Sequence, residues 1–169
     1  MKNTSTFKIV SSALFCALVF VCTFIQIPAG LGNVNLGDTF VLIGACLLGP
    51  YAIIACPLGA SLCDLASGYA TYAPATLVIK ALMVCSILLS KKYLQKLIKN
   101  KTVVFVISYI IAELIMVLGY LAYELVLYKL SAFASIPFNL IQGAVNIVVA
   151  TLLMVVLTKL KITDKYNKN

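Results

Sequence analysis

Long apolar segments broken by very few charges dominate this sequence, and they leave little choice of fold. Outside the lysine-rich stretches, the ionisable residues Asp64, Lys80 and Glu113 stand within runs long enough to cross a bilayer. In hydrocarbon backbone N–H and C=O groups must be satisfied within the protein, and these runs read as membrane-spanning helices. An ionisable side chain at that depth is tolerated only against a partner or a polar cavity, which makes each of the three a candidate functional group.

With 63% of its 169 residues hydrophobic, the chain lies above the range of soluble globular domains. A spanning helix takes about 20 residues, so there is room for about six spans and little extramembrane mass. No soluble catalytic or nucleotide-binding domain is expected to fit, and any energy from ATP would have to come from another subunit. The net charge of +8 reads as lysines facing anionic headgroups rather than as a nucleic-acid surface. The six cysteines all fall in apolar stretches, none forms Cys-x-x-Cys, and the chain has no histidine. They read as small buried hydrophobes, with no metal site and no cofactor expected in this chain.

The expected architecture is one all-α membrane domain over residues 1–169, with spans at about 7–27, 37–48, 51–67, 74–90, 102–123 and 137–157. The first apolar run is too long for a signal-peptide core and is expected to be a retained helix. Pro28 to Gly32 reads as a loop, Asn33 to Asp38 as a polar approach to span 2 with Asn35 or Asp38 as its cap, and Gly49-Pro50 as a turn. Pro74 suits the first turn of span 4. Spans 2 and 3 are short and carry interior Gly and Pro, so tilted or irregular helices are expected there. Eleven of the thirteen lysines lie at the two ends or in the 91–101 segment. With six spans these regions share one face, the cytoplasmic side of the cell membrane by the positive-inside rule, and both termini are expected to be cytoplasmic.

Helical spacing sorts the polar residues of the spans into stripes. Tyr120 and Glu124 each fall within about 20° of Glu113 on span 5. Asn139, Gln142 and Asn146 share a face of span 6, Ser61, Asp64 and Gly68 share one on span 3, and Thr76 and Lys80 lie one turn apart on span 4. Most lie in the outer half of the membrane, with Asp64 about 7 Å below the Gly68–Ala73 loop and Lys80 about 9 Å below Pro74. Converging polar faces at one depth describe a ligand cavity open to the outside. The 30–35 loop, with Asn33 and Asn35, and the loop of Tyr69 and Tyr72 would cap it, and Tyr69, Tyr72, Tyr120 and Tyr123 would offer aromatic surface to a flat ring. Structural alternatives stand beside this reading. Asp64 and Lys80 either contact ligand or neutralise one another, and the span 6 amides either bind ligand or join helices. Asp38 reads as a helix cap, Glu124 as a solvated boundary residue, and the tyrosines of the mouth serve equally as interfacial anchors. On span 1, Ala13, Ala17 and Val21 form a stripe of small residues four apart, suited to close approach of another helix, from a partner subunit or from this bundle.

Taken together, several motifs resemble the substrate-binding (S) subunits of energy-coupling factor (ECF) vitamin transporters, over nearly the whole chain. They are Ala13-Leu14-Phe15-Cys16-Ala17; Asn35-Leu36-Gly37-Asp38; Leu48-Gly49-Pro50; Asp64-Leu65-Ala66-Ser67-Gly68-Tyr69-Ala70; Ala73-Pro74-Ala75-Thr76 with Lys80; and Ile136-Pro137-Phe138-Asn139-Leu140-Ile141-Gln142-Gly143. The combination is similar to the riboflavin-type or pyridoxine/hydroxymethylpyrimidine-type branch. The resemblance implies a non-enzymatic subunit that binds a vitamin from outside, joins a membrane scaffold (T) subunit and two cytoplasmic ATPases, and topples in the membrane to deliver its cargo. In that family the alanine motif of the first span contacts the scaffold; Ala13 and Ala17 match it and Val21 departs from it. A lysine, carboxylates and tyrosines suit pyridoxine or hydroxymethylpyrimidine first and the larger riboflavin next. The competing reading is a solitary ion- or proton-coupled carrier with Asp64, Lys80 and Glu113 as its relay. An intramembrane enzyme is disfavoured, for the chain has neither histidine nor a Gly-x-Ser-x-Gly nucleophile motif.

Overall fold

The computed structural model describes residues 4–29 and 32–167, with the side chains at 4, 5, 28, 29, 32, 33, 164, 165 and 167 outside that description. The chain runs α1 (Thr4–Phe24), β1 (Gln26–Ala29), β2 (Gly32–Asn35), α2 (Gly37–Leu48), α3 (Ala52–Ala66), α4 (Ala73–Leu97), α5 (Lys101–Tyr128), α6 (Ile136–Lys159) and α7 (Ile162–Asn167). The 3₁₀ turns Gly49–Tyr51 and Lys129–Ser135 join α2 to α3 and α5 to α6. Four helical stretches are long and apolar enough to cross a membrane: Thr6–Phe24, Gly37–Ala66, Ala73–Leu97 and Lys101–Lys159. The second and fourth each contain two of the α-helices, joined through a 3₁₀ turn.

Helix α2 is the axis of the bundle. Beyond Asp38 and Thr39 in its first turn it is apolar on every side, and all its residues except Phe40 are buried, as a helix without a polar face must be. Helices α1, α3, α4 and α6 pack around it. On the outside the soluble pattern is inverted. Ile54, Leu118, Val126, Leu130 and Leu152 are exposed, while Asp38, Lys80, Glu113, Glu124, Gln142 and Asn146 are buried. An apolar coat around an interior that holds charged and amide side chains is stable when the surrounding solvent is hydrocarbon.

The ends of the helices depart from the expected spans for identifiable reasons. Helix α1 stops at Phe24, and the expected loop and polar approach to α2 hold an antiparallel hairpin, Gln26 paired with Asn35 and Ile27 with Val34. The apolar run through Ile27 absorbed the first strand into the span, since a four-residue strand carries too little periodicity to separate it. Helix α4 continues about two turns past Ser90 to Leu97, because hydropathy marks the edge of hydrocarbon while lysine and leucine sustain a helix beyond it. Asn100 then caps α5, its side-chain oxygen accepting from the Thr102 and Val103 amides at 3.0 and 3.4 Å. Proline does occupy the first turn of α4. Pro57 lies inside α3, which continues around it.

Candidate functional site

In α1, α4, α5 and α6 alike, the end that bears lysines is opposite the end that bears polar recess residues. Lys8, Lys91, Lys101 and Lys159 mark one side; Thr23, Thr76, Glu124 and Asn139 mark the other. At that second side the helices diverge around a recess of about 640 Å³, counted out to its mouth. Its wall draws on the hairpin and on every helix from α3 to α6, with Gln26 and Asn35, Asp64, Tyr72 and Lys80, Tyr120, and Gln142 among the contributors.

Its floor is organised by a buried ion pair that the sequence did not reveal. Lys80 on α4 donates to Asp38 Oδ1 on α2, and both side chains are almost fully buried. Gln142 Nε2 on α6 donates to the other oxygen, Asp38 Oδ2, at 2.8 Å. Asp38 is therefore not the helix cap it was expected to be: the N-terminus of α2 has no side-chain cap from Leu36, while Asn35 Oδ1 accepts from the Gly37 amide at 2.9 Å. Lys80 likewise does not pair with Asp64, whose Oδ2 is buried without a hydrogen-bond partner among the described residues. Charge type alone could not choose between two aspartates; the choice follows from the central position of α2. The same α6 face holds the hairpin. Gln142 Oε1 accepts from the Asn35 amide at 3.0 Å, and Asn146 Nδ2 donates to the Asn35 carbonyl at 3.0 Å. Asn146 Oδ1 also accepts from the Thr39 amide and hydroxyl at 2.8 and 2.7 Å. One face of α6 thus binds β2, the start of α2 and the ion pair at once.

Tyrosines form the opposite wall. The Lys80 ammonium lies 5.4 Å from the centroid of the Tyr120 ring, and Tyr120 shares a 2.9 Å hydrogen bond with Thr76. Tyr72 packs edge-on against Tyr69 and Tyr123, at centroid distances of 6.4 and 5.5 Å. The Tyr72 hydroxyl donates to Glu124 Oε1 at 3.4 Å, and burial pushes its phenol well above the usual tyrosine range, which keeps it a donor. Ser135 donates to Glu124 Oε2, so Glu124 is a buried clamp between the tyrosine loop and the α5–α6 connection, and not a solvated boundary residue. Tyr69 is placed by the end of α3. Gly68, at φ +84°, turns the chain where side-chain-bearing residues are strained, and the Tyr69 amide then bonds back to the Asp64 carbonyl at 2.8 Å. Ser61 donates to the Ala73 carbonyl at 3.0 Å and fastens α3 to the start of α4.

Nine of the expected residues line this recess: Asn35, Asp64, Tyr69, Tyr72, Thr76, Lys80, Tyr120, Asn139 and Gln142. Glu113 and Asn146 do not. Each lies seven residues deeper than a lining residue on its own stripe, about 10 Å at the helical rise, and so falls below the floor. Helical spacing fixes a face but not the depth at which a cavity ends. Asn33 pairs with Pro28 in the hairpin, and its side chain lies outside the described residues, as do Gly30 and Leu31 altogether. The reading from sequence missed Thr23, Gln26 and Ala60 in the wall, and Asp38 beneath it. Asp38 alone had a signal, as an acidic residue inside an otherwise apolar helix. Away from the recess, Ala13, Ala17 and Val21 all lie exposed on α1. Beside them an apolar groove runs between α1 and α3, lined by Ile9, Ala13, Cys16, Ile54 and Leu58.

A comparison with curated proteins gives no match. Among solved structures the chain is similar to one described as "Structure and mechanism of the S component of a bacterial ECF transporter", at a TM-score of 0.67 and 23% identity, covering 92% of this chain and 98% of that one. That likeness establishes the fold. The model of the family described as ECF-type riboflavin transporter, S component, matches residues 3–159, which is nearly the whole sequence. On that match, the chain belongs to the S component family of ECF-type riboflavin transporters, membrane transport subunits rather than enzymes.

Proposed function

We propose that this chain captures riboflavin on the outer side of the cell membrane and hands it inward in complex with a scaffold subunit and two ATPases. The carrying observation is the recess itself: a tyrosine wall facing an amide-and-ion-pair floor, at the lysine-poor end of the bundle. By the positive-inside rule the lysine-bearing helix ends face the cytoplasm, so the recess opens outward and both termini lie inside. Tyr120 and Tyr72 offer faces and edges to a fused ring. Lys80, with three donors and one engaged by Asp38, offers N–H to a ring carbonyl, and Asn139, Asp64 and Gln26 offer partners to ring amides and chain hydroxyls.

Riboflavin stands ahead of pyridoxine and hydroxymethylpyrimidine because the matching family is the riboflavin one. The exposed Ala13–Ala17–Val21 stripe and the groove beside it are the proposed seat of the scaffold subunit. The test is binding by the purified chain alone. The protein has no tryptophan, so the titration follows quenching of the flavin's own emission. Tight riboflavin binding without transport is expected in the absence of partners. Saturable binding of pyridoxine with none of riboflavin would refute the substrate. Gradient-driven uptake by the chain alone would refute the subunit role.

A further inference from the structure

Glu113 is buried on α5 beneath Tyr120, and neither of its carboxyl oxygens has a hydrogen-bond partner among the described residues. It presses on α6 at Gly143, where an added Cβ would come within 3.2 Å of Glu113 Oε2. Gly143 follows Gln142, the residue whose amide holds Asp38. Glu113 therefore abuts the patch of α6 that organises the ion pair, and Lys80 and Asp38 are the charges that act on it. The ionisable groups around it are Lys80 from α4, Asp38 from α2, and Tyr109 and Tyr120 from its own helix; α6 carries no ionisable residue before Lys159.

Counting charge decides its resting state. Lys80 and Asp38 cancel, so an ionised Glu113 would leave an uncompensated negative charge among buried side chains. Such a charge is avoided by taking up a proton. A neutral acid with no hydrogen bond is itself unfavourable there, and a leucine would pack the space better. The carboxyl makes sense at this position if it is needed as an anion in some other arrangement of the same groups.

We propose that Glu113 is the reserve counter-ion of Lys80. When Asp38 loses its charge or its hold on the lysine, Glu113 gives up its proton and receives the ammonium. The site then has two arrangements of equal net charge: a Lys80–Asp38 pair with Glu113 as the acid, and a Lys80–Glu113 pair with Asp38 as the acid. Between them one O–H bond breaks at Glu113, one forms at Asp38, and the flexible lysine stem swings from α2 toward α5. Glu113 is thus a positioning residue acting through Lys80. In the second arrangement the Gln142 amide faces a neutral acid, which loosens the tie from α6 to the floor of the recess.

The test uses ligand-free protein and is independent of which vitamin binds. Infrared difference spectra in detergent read the carboxylic-acid C=O band for Glu113→Gln, Asp38→Asn and wild type, with Asp64 and Glu124 common to all three. Glu113→Gln is expected to remove an acid component present in wild type. Asp38→Asn is expected to remove the same component although Glu113 remains, because Glu113 has become the carboxylate that holds Lys80. The unfolding equilibria then form a double-mutant cycle. The double variant is expected to lose at least tenfold more, roughly, than the product of the single effects. An acid band that survives in Asp38→Asn overturns the proposal, as does a wild-type spectrum without the Glu113 component. Should the double variant fail to fold, the spectra of the two single variants still decide.

Discussion

Gln142→Leu isolates the one side chain that joins the hairpin to the ion pair. Leucine keeps the helix and approximates the volume, so the change removes two hydrogen bonds and little else. One is accepted from the Asn35 amide at 3.0 Å, the other donated to the Asp38 carboxylate at 2.8 Å. A neutral bond contributes about 0.5–1.5 kcal/mol and one to a charged group about 1.5–3. Side-chain bonds within membrane bundles average nearer 0.6 kcal/mol. The variant should therefore lose about 1–4 kcal/mol of stability, read as a lower melting temperature in detergent. The Asn35 bond ties β2 to α6 at the rim of the recess, so its loss should also free the ligand. If about 1 kcal/mol of that tie is felt at release, riboflavin should dissociate roughly fivefold faster, with association little changed. Stopped-flow recovery of flavin emission against a competing ligand measures this. A variant that melts and releases riboflavin like wild type would show that the hydrogen bonds through Gln142 carry neither the fold nor the mouth.

Three further substitutions separate floor, mouth and partner face. Lys80→Met strands Asp38 without a cation and should destabilise by up to about 3–5 kcal/mol, with loss of riboflavin binding; a melting temperature within error of wild type would refute the pairing. Gly68→Ala forces a side chain onto a backbone at φ +84° and should lower stability by about 1–2 kcal/mol. It should also weaken binding by displacing Tyr69, and an unchanged melt would show that the turn relaxes freely. Ala17→Phe, on the exposed α1 stripe, should leave riboflavin titrations intact while reducing recovery of the scaffold subunit with the chain. Full recovery of the complex would place the scaffold elsewhere.

Much of this molecule was legible because lipid imposes simple rules. Apolar runs, Gly-Pro breaks and lysine clusters locate the helices, and the spacing on α3, α4 and α6 brings Asp64, Thr76, Lys80, Asn139 and Gln142 to one recess as expected. What escaped depends on three dimensions. The Asp38–Lys80 pair spans 42 positions of sequence, and only the central packing of α2 makes it possible. The 26–35 hairpin is fixed by the α6 amides that hold Asn35, a tertiary cause with no local signature. Glu124 sits near a helix end that hydropathy calls a boundary, yet Tyr72 and Ser135 fold over it and bury it.

The ion pair is better evidence for what this chain does than for what keeps it folded. Apolar side chains of equal volume would stabilise a bundle floor at least as well, since desolvating two charges offsets most of their attraction. The arrangement instead concentrates leverage. Lys80 comes from α4, and the groups that hold it come from α2, α5 and, through Gln142, α6. Gln142 then passes the constraint to Asn35 and the hairpin at the rim. A ligand that draws on the ammonium, on the Gln142 amide or on the Tyr120 face therefore acts on four helices and on the mouth through a single contact. A purely apolar floor would bind a flat ring without transmitting its presence, and a subunit that hands cargo to other proteins needs its mouth to respond to that cargo.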